Sequence, residues 1–243
     1  MTRAFFVTGT DTDAGKTLIA SALLCAARQR GLSTAAGKPV ASGSLPGRAG
    51  LRNADALALQ AQCQPPLAYE AINPVALAPA IAPHIAAREA GVDISVARLL
   101  PPMKALLARR ADLALIEGAG GWRVPLGEGA CLSMLAAALA LPVILVVGVR
   151  LGAINHARLT LEAIRRDGLR VAGWVANLRD PEMAREEENL AALDEWLSVH
   201  GGVPRLGVVP LLDIPDPEAA AAHLDLDALL HPERSGATEA DSF

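Results

Sequence analysis

The sequence predicts an α/β fold: a single doubly wound, mostly parallel sheet with helices on both faces. Short strand-type runs alternate with longer stretches whose apolar residues recur at three- and four-residue spacing, which is the pattern of βαβ units. The strand-type runs are almost continuously apolar, as at 143–147, and this is typical of parallel strands buried on both faces. The chain of 243 residues, 52% of them hydrophobic, is long enough to bury such a core without disulfides or a structural metal.

The predicted strands and helices follow one another regularly. Strands are predicted at residues 4–8, 34–40, 113–116, 143–147, 171–175 and 205–209. Helices are predicted at residues 17–30, 54–62, 96–110, 155–167 and 181–199. The proline-rich stretch 73–84 is interpreted as an ordered surface connection, because the alternation resumes beyond it. We therefore expect one domain over residues 1–230 and a mobile tail at 231–243, where apolar periodicity is lacking.

The longest apolar run, residues 130–149, has two interpretations. Its twenty residues carry no charge, which is enough for a membrane span. Within the run, however, alanines and leucines at 134–141 favour a helix, Pro142 interrupts it, and the β-branched residues at 143–147 favour a strand. We expect a helix followed by a buried strand.

Charge and cysteine content limit the functional classes to which the protein can belong. The chain carries 22 basic and 26 acidic residues, so its net charge of −4 gives no overall attraction to nucleic acid or anionic lipid. Its three cysteines lack the spacing of a redox pair or a zinc site. The apolar N-terminal stretch stops at Asp11, too early for a secretory signal. We expect a cytoplasmic protein that binds neither nucleic acids nor membranes, with its histidines in structural or surface positions.

A glycine loop, GTDTDAGKT at 9–17, follows the first predicted strand and precedes a helix. In this context backbone N–H groups close around phosphate oxygens, Lys16 adds a positive charge to that of the helix N-terminus, and the Thr17 hydroxyl reaches Mg²⁺. Gly9 lies one residue earlier than the usual phosphate-loop spacing, and a capped turn is the alternative interpretation. The loop makes the predicted fold one of the P-loop NTPase type. Its candidate nucleotide-binding residues are Asp13, Ala14, Gly15, Lys16, Thr17 and Leu18.

Charged residues also lie near the ends of two other predicted strands. Glu117 follows the strand at 113–116, at the kind of sheet edge where open α/β folds bind ligands, so it is either a Mg²⁺ ligand or a cap for the next turn. Asp55 is either a second ligand or an ordinary acid at a helix N-terminus. Lys38 lies in the second strand run and faces the same edge, unless it is simply solvated.

Six sequence blocks resemble the dethiobiotin synthetase family. They read GTDTDAGKT (9–17), GKPVASG (37–43), LRNADALAL (51–59), EGAGGW (117–122), LGAINHA (151–157) and GWVAN (173–177). The early position of Gly9 is also this family's form. The resemblance implies a homodimer that uses ATP, Mg²⁺ and CO₂ to close the ureido ring of dethiobiotin on diaminopelargonic acid, in biotin biosynthesis. The implied route passes through a carbamate and a carbamic-phosphoric anhydride.

The resemblance also implies roles for individual residues. Lys16 and Lys38 would act as catalytic groups that clamp the γ-phosphate and the carbamate. Thr17, Asp55 and Glu117 would hold Mg²⁺. The other implied contacts are Thr12 and Ser42 to the diamine, Gly118, Ala119 and Gly120 along the same cavity, Asn177 to adenine, Pro210, Leu211 and Glu218 to the nucleotide, and Gly152 and Asn155 to the substrate carboxylate across the dimer interface. Some family members carry a tyrosine in the helix predicted at 181–199, which here has none, so recognition of the carboxylate stays open.

The rival interpretation is a nucleotide-switched, partition-type ATPase with a similar loop. Such proteins carry a second lysine early in the loop, where this chain has Asp11, Thr12 and Asp13. Their membrane-associated members end in a basic amphipathic helix, whereas residues 216–230 contain acids and no lysine or arginine. The sequence therefore favours the synthetase.

Overall fold

A computed structural model describes residues 3–231, and the expected mobile tail lies outside that range except for its first residue. The strands are β1 (Arg3–Gly9), β2 (Thr34–Gly37), β3 (Val40–Ala41), β4 (Leu45–Gly47), β5 (Gly50–Arg52), β6 (Val75–Ala76), β7 (Leu113–Glu117), β8 (Pro125–Gly127), β9 (Ala130–Cys131), β10 (Val143–Val149), β11 (Val171–Leu178) and β12 (Arg205–Val209). The helices are α1 (Lys16–Gln29), α2 (Ala54–Ala61), α3 (Tyr69–Ile72), α4 (Pro83–Ala90), α5 (Val96–Leu107), α6 (Leu132–Leu139), α7 (Ala153–Arg166), α8 (Glu186–Asp194), α9 (Pro217–Ala221) and α10 (Leu226–Leu230). A π-helical turn, Glu195–Val199, continues α8.

A six-stranded sheet forms the centre, in the order β12-β11-β10-β1-β7-β2, and all neighbouring strands are parallel. In β1, Phe6 lies opposite Ile116 of β7 on one side and Val143 of β10 on the other. β7 and β10 are buried along their whole length. The predicted α/β class with a parallel sheet is confirmed.

The helices cover this sheet with their apolar faces. α1 buries Ile19, Leu23 and Leu24 and contacts β1, β2 and β7. α5 packs on β2, and α7 packs on β10 and β11. Because all six strands are parallel, their carboxyl ends meet at one edge of the sheet, and the loops after β1, β2 and β7 lie together there.

The strand predicted at 34–40 is too long, because the chain leaves the central sheet after Gly37. The Lys38 N–H donates to the Ile72 carbonyl at 2.7 Å instead of continuing the ladder with β7. Val40–Ala41 then pairs in parallel with Val75–Ala76 as a separate two-stranded sheet. The stretch 73–84, interpreted as a connection, therefore contains a strand and the start of α4.

Two predicted helices are shorter than expected. The helix predicted at 181–199 begins only at Glu186, because Arg185 adopts a left-handed conformation with φ +58°. The helix predicted at 96–110 ends at Leu107, and Arg110 has φ +56°. Both errors lie at helix ends: left-handed Arg185 directly precedes α8, and the turns after α5 end at left-handed Arg110.

The apolar run 130–149 contains helix α6 and strand β10, with Pro142 between them, so the predicted helix followed by a buried strand is confirmed. Among residues 3–231, no helix combines the length and the apolar character needed to cross a membrane.

Candidate active site

The loop between β1 and α1 presents backbone N–H groups. α1 begins at Lys16, and no side chain caps its first turn. Gly15 has φ +90°, and a Cβ at this position would lie 2.0 Å from Asn177 Nδ2, so only glycine fits. Asn177, in β11, is buried and donates from Nδ2 to the Ala14 carbonyl at 2.9 Å. The loop therefore offers uncapped N–H groups and partial positive charge to an anion.

Three charged side chains and one hydroxyl meet beside this loop. The Lys38 ammonium forms an ion pair with Glu117 Oε1 and donates to Asp55 Oδ2 at 3.0 Å. It also donates to the Gly118 carbonyl at 3.3 Å. Thr17 Oγ1 donates to the same Glu117 Oε1 at 2.8 Å. The side chains of Lys38 and Glu117 are 4% and 0% exposed, whereas that of Asp55 is 47% exposed. Buried charges are costly without partners, so Lys38 and Glu117 depend on each other.

Burial and charge act in opposite directions on the pKa values at this cluster. Burial disfavours the ammonium form of Lys38, but attraction to Glu117 and Asp55 outweighs it and raises the pKa of Lys38 above its ordinary value. Burial would also raise the pKa of Asp55, yet the Lys38 charge outweighs it and the pKa of Asp55 is lowered. Both groups are therefore charged at neutral pH.

Lys16 lies on the loop side of the site and has a different environment. Its ammonium donates to the Asp11 carbonyl at 2.9 Å and is largely buried. Burial lowers the pKa of Lys16, attraction to Glu117 opposes this, and repulsion from Lys38 adds to it. A buried cation bonded to a carbonyl is stabilised further when an anion arrives beside it.

The oxygen atoms of Thr17, Asp55 and Glu117 fit Mg²⁺. The ion prefers oxygen ligands and usually takes one or two protein carboxylates beside phosphate and water. Glu117 Oε2 is buried and makes no hydrogen bond within the described residues, so it has a lone pair to offer. Residues 3–231 contain no group of three or more His, Cys, Asp or Glu that would bind a metal by itself. The set thus suits an ion that arrives with phosphate.

A cavity of about 360 Å³ opens over these groups. It brings together predicted residues from four separate stretches of the sequence. They are Thr12, Asp13, Gly15, Lys16, Thr17, Leu18, Lys38, Ser42, Asp55, Ala119 and Gly120. Ala14, Glu117, Gly118 and Asn177 are buried behind these wall residues. The structure thus gathers most of the predicted residues at one site.

The remaining predicted residues do not line this cavity. Gly152 and Asn155 are exposed at the start of α7. Pro210 and Leu211 follow β12. Glu218 lies on α9, accepts a hydrogen bond from Gln29 Nε2 at 3.3 Å, and lines a second groove of about 730 Å³. That groove is the larger, but it contains neither the glycine loop nor Lys38, so the chemistry assigns the smaller cavity as the site.

Three wall residues were not predicted: Ala41, Arg179 and Pro215. Arg179 directly follows β11, and a charged residue at the carboxyl end of a parallel strand is a signal that would have indicated it. Ala41 and Pro215 carry no comparable signal in the sequence. A further arginine, Arg150, pairs with Asp11 of the glycine loop at 2.5 Å.

Comparisons with known proteins identify relatives of this chain. A family model described as an AAA domain matches residues 3–219. The chain is 64% identical over 226 residues to the ATP-dependent dethiobiotin synthetase BioD of Pseudomonas aeruginosa (strain UCBPP-PA14), a match that covers 93% of this chain and 97% of that protein. It is 58% identical over 228 residues to the protein of the same name from Cellvibrio japonicus (strain Ueda107), covering 94% and 98%.

A solved structure supports the fold. The septum site-determining protein MinD of Pyrococcus horikoshii OT3, complexed with Mg-ADP, matches with a TM-score of 0.53 and 19% identity. The match covers 98% of this chain and 92% of that chain. At this identity the likeness shows the fold alone, and together with the AAA-domain match it confirms the predicted fold of P-loop NTPase type.

Proposed function

The chain belongs to the ATP-dependent dethiobiotin synthetase family, and on that premise we propose how its residues carry out the reaction. The protein is an ATP-dependent ligase of biotin biosynthesis. We propose the diamine diaminopelargonic acid as its substrate. The observation that carries the proposal is the buried Lys38 ammonium, held between Asp55 and Glu117 beside an uncapped glycine loop.

In the proposed reaction, one amine of the diamine attacks CO₂ and loses a proton to give a carbamate. A carbamate oxygen attacks the γ-phosphorus of ATP, the bond to the bridging oxygen breaks, and ADP leaves. The second amine attacks the carbonyl carbon of the resulting carbamic-phosphoric anhydride, loses a proton, closes the ring and expels phosphate. Negative charge develops on oxygen in the first step and moves between oxygens in the later ones, so fixed cations supply most of the stabilisation.

The two lysines divide this task. Lys16 binds the β- and γ-phosphates together with the loop N–H groups, as its position at the start of α1 supports. Lys38, which donates to Asp55 and lines the same cavity as Ser42, binds the carbamate. Its raised pKa keeps it protonated while the carbamate is present.

Thr17, Asp55 and Glu117 would hold Mg²⁺ in this reaction, as the free Glu117 Oε2 supports. When bound, the ion neutralises charge on the phosphate oxygens. Thr12, Ser42, Ala119 and Gly120 form the walls against which the diamine is oriented. The roles of Asn177, Pro210, Leu211 and Glu218 toward the nucleotide stay predictions.

We also propose a homodimer with the site at its interface. Leu151, next to Gly152 and just before α7, is 90% exposed, and Leu159 on α7 is also exposed. Such apolar side chains at the surface favour a protein contact. A partner seated here would bring Gly152 and Asn155 of one subunit toward the diamine bound in the other.

We also propose a cytoplasmic location. The free cysteines Cys25, Cys63 and Cys131 support it.

The partition-type ATPase is not favoured. The likeness to MinD extends to the fold alone, whereas the synthetase relatives match almost the whole chain at high identity. The early loop lysine of the partition class is also absent from residues 11–13 of the sequence.

The test is phosphate release from purified protein with Mg·ATP and bicarbonate, measured with and without diaminopelargonic acid, with the product identified by mass. We expect release to require the diamine and to yield dethiobiotin. ATP hydrolysis at the same rate with and without the diamine would contradict the synthetase function.

A second experiment tests the carbamate role of Lys38. Lys38→Ala should slow turnover far more than it weakens ATP binding, and equal losses of turnover and ATP affinity would assign Lys38 to the nucleotide.

A further inference from the structure

A buried group of side chains outside the cavity connects the two ends of the Lys38–Asp55 ion pair. Its members are Asn53, Tyr69 and Asn73, which are between 3% and 6% exposed. None of them lines the cavity. We call these three residues the Tyr69 network.

On one side the network holds the backbone of Lys38. Asn73 Nδ2 donates to the Lys38 carbonyl at 2.7 Å and to the Val75 carbonyl at 3.1 Å. The Lys38 N–H donates to the Ile72 carbonyl, directly before Asn73. Both polar groups of the Lys38 backbone are therefore bound by the segment 72–73 and not by the central sheet. This segment sets the direction in which the Lys38 side chain leaves the chain.

On the other side the network holds Ser42 and the start of α2. Asn53 Oδ1 caps α2 by accepting from the Ala56 N–H at 3.2 Å, which fixes Asp55 in the first turn. Asn53 Nδ2 donates to the Ser42 carbonyl at 3.1 Å. Ser42 and Asp55, which line the cavity together with Lys38, are thus positioned by one asparagine.

The Tyr69 hydroxyl joins the two sides. It donates to Asn73 Oδ1 at 2.9 Å and accepts from the Asn53 backbone N–H at 2.7 Å. The Arg52 guanidinium covers the ring at 4.1 Å from its centroid and pairs with Glu70. Satisfied buried networks of this kind specify one arrangement of the groups they join.

We propose that Tyr69 and Asn73 are positioning residues for the ligase reaction, which fix the Lys38 ammonium at the distance from Asp55 and Ser42 that the carbamate requires. The inference rests on the proposed function. Neither residue touches the substrate, and both act through Lys38. A misplacement of a reacting group by about 1 Å can cost about 100-fold in rate, so small shifts of Lys38 matter.

The test is Tyr69→Phe, which removes the hydroxyl and keeps the ring and its contact with Arg52. We expect kcat to fall by about 10- to 100-fold, while KM for ATP changes by less than about twofold, because the glycine loop is untouched. Thr34→Val is the matched control, since Thr34 is also buried and its hydroxyl donates to the Gln62 carbonyl at 2.6 Å, outside the network. This control should keep wild-type kcat.

A double-mutant cycle with Lys38→Ala separates positioning from general destabilisation. If Tyr69 acts through Lys38, Tyr69→Phe causes no further loss of kcat once Lys38 is replaced. Losses that multiply, or a Thr34→Val variant that slows as much as Tyr69→Phe, would overturn the inference. Should Tyr69→Phe not fold, Asn73→Ser enters the same cycle with the same expected result.

The wild-type protein and Lys38→Ala distinguish the two levels of the argument. If the wild type makes no dethiobiotin, the proposed function fails and the inference falls with it. If the wild type is active and Lys38→Ala is slow, but Tyr69→Phe turns over at the wild-type rate, only the inference fails.

Discussion

Replacement of Glu117 by glutamine is expected to destabilise the ligand-free protein by about 3 kcal/mol at pH 7. Glutamine keeps the shape and an acceptor for Thr17, but it removes the charge opposite Lys38. Breaking a buried ion pair costs about 3–5 kcal/mol, and the lower end applies because Asp55 still pairs with Lys38. Asp55→Asn should cost at most about 1 kcal/mol, since its carboxylate is 47% exposed and screened by water.

The same substitution should make stability depend on pH. In the wild type, attraction to Glu117 outweighs the effect of burial and raises the pKa of Lys38. The contribution of Lys38 to the free energy of unfolding is therefore lost only as pH rises above the usual lysine range. In Glu117→Gln we expect burial to outweigh the remaining attraction to Asp55, so that the pKa of Lys38 falls below that of the unfolded chain. The folded state then binds fewer protons, and the free energy of unfolding increases with pH by at most about 1.4 kcal/mol per unit.

Urea unfolding at pH 7 and pH 9.5 measures both effects. We expect Glu117→Gln to recover part of its lost stability at the higher pH, while the wild type does not gain over this interval. Parallel pH profiles for the two proteins, or an equal loss in Asp55→Asn, would refute the reasoning that burial makes Lys38 depend on Glu117.

Three further outcomes follow from the geometry. Lys16→Ala should keep the fold and lose about 10²- to 10³-fold in turnover, roughly 3–4 kcal/mol, and a folded variant with unchanged phosphate release would contradict the loop assignment. Gly15→Ala places a Cβ 2.0 Å from Asn177 Nδ2 at φ +90°, so this variant should lose nucleotide binding in a fluorescence titration. Wild-type affinity in this variant would contradict the assignment of the glycine loop to the nucleotide. Trp174→Ala should cost about 3–5 kcal/mol in chemical unfolding because this indole is fully buried, and a loss as small as that of the partly exposed control Trp196→Ala would be unexpected.

The central sheet was predictable because its strands are specified locally. The continuous apolar runs predict the bounds of five of the six central strands to within a few residues, and those of Arg205–Val209 agree fully. The strand predicted at 34–40 was too long. Its apolar residues suit a strand, but the Lys38 N–H donates to the carbonyl of Ile72, a residue distant in sequence. Partner choice of this kind is set by tertiary packing, which periodicity does not contain.

The site was predictable to the extent that its residues lie at carboxyl ends of strands. Glu117 and the glycine loop could be located in this way, whereas the contact of Lys38 with Asp55 depends on how α2 enters the fold. The resemblance to a family placed both residues in one site, and the structure brings their side chains within 3.0 Å. The role of Tyr69 had no signal, because a buried hydroxyl acts through neighbours that only the folded chain supplies.

The central place of β1 has a consequence for how the chain is made. Ribosomes produce β1 long before its two neighbours, which begin at Leu113 and Val143. At about 5–20 residues per second, the second neighbour follows roughly 7 to 30 s later. During this interval Phe5, Phe6 and Val7, which end fully buried, have no partner strands to cover them. The nascent polypeptide therefore exposes an apolar segment that favours aggregation until both neighbouring strands have been made.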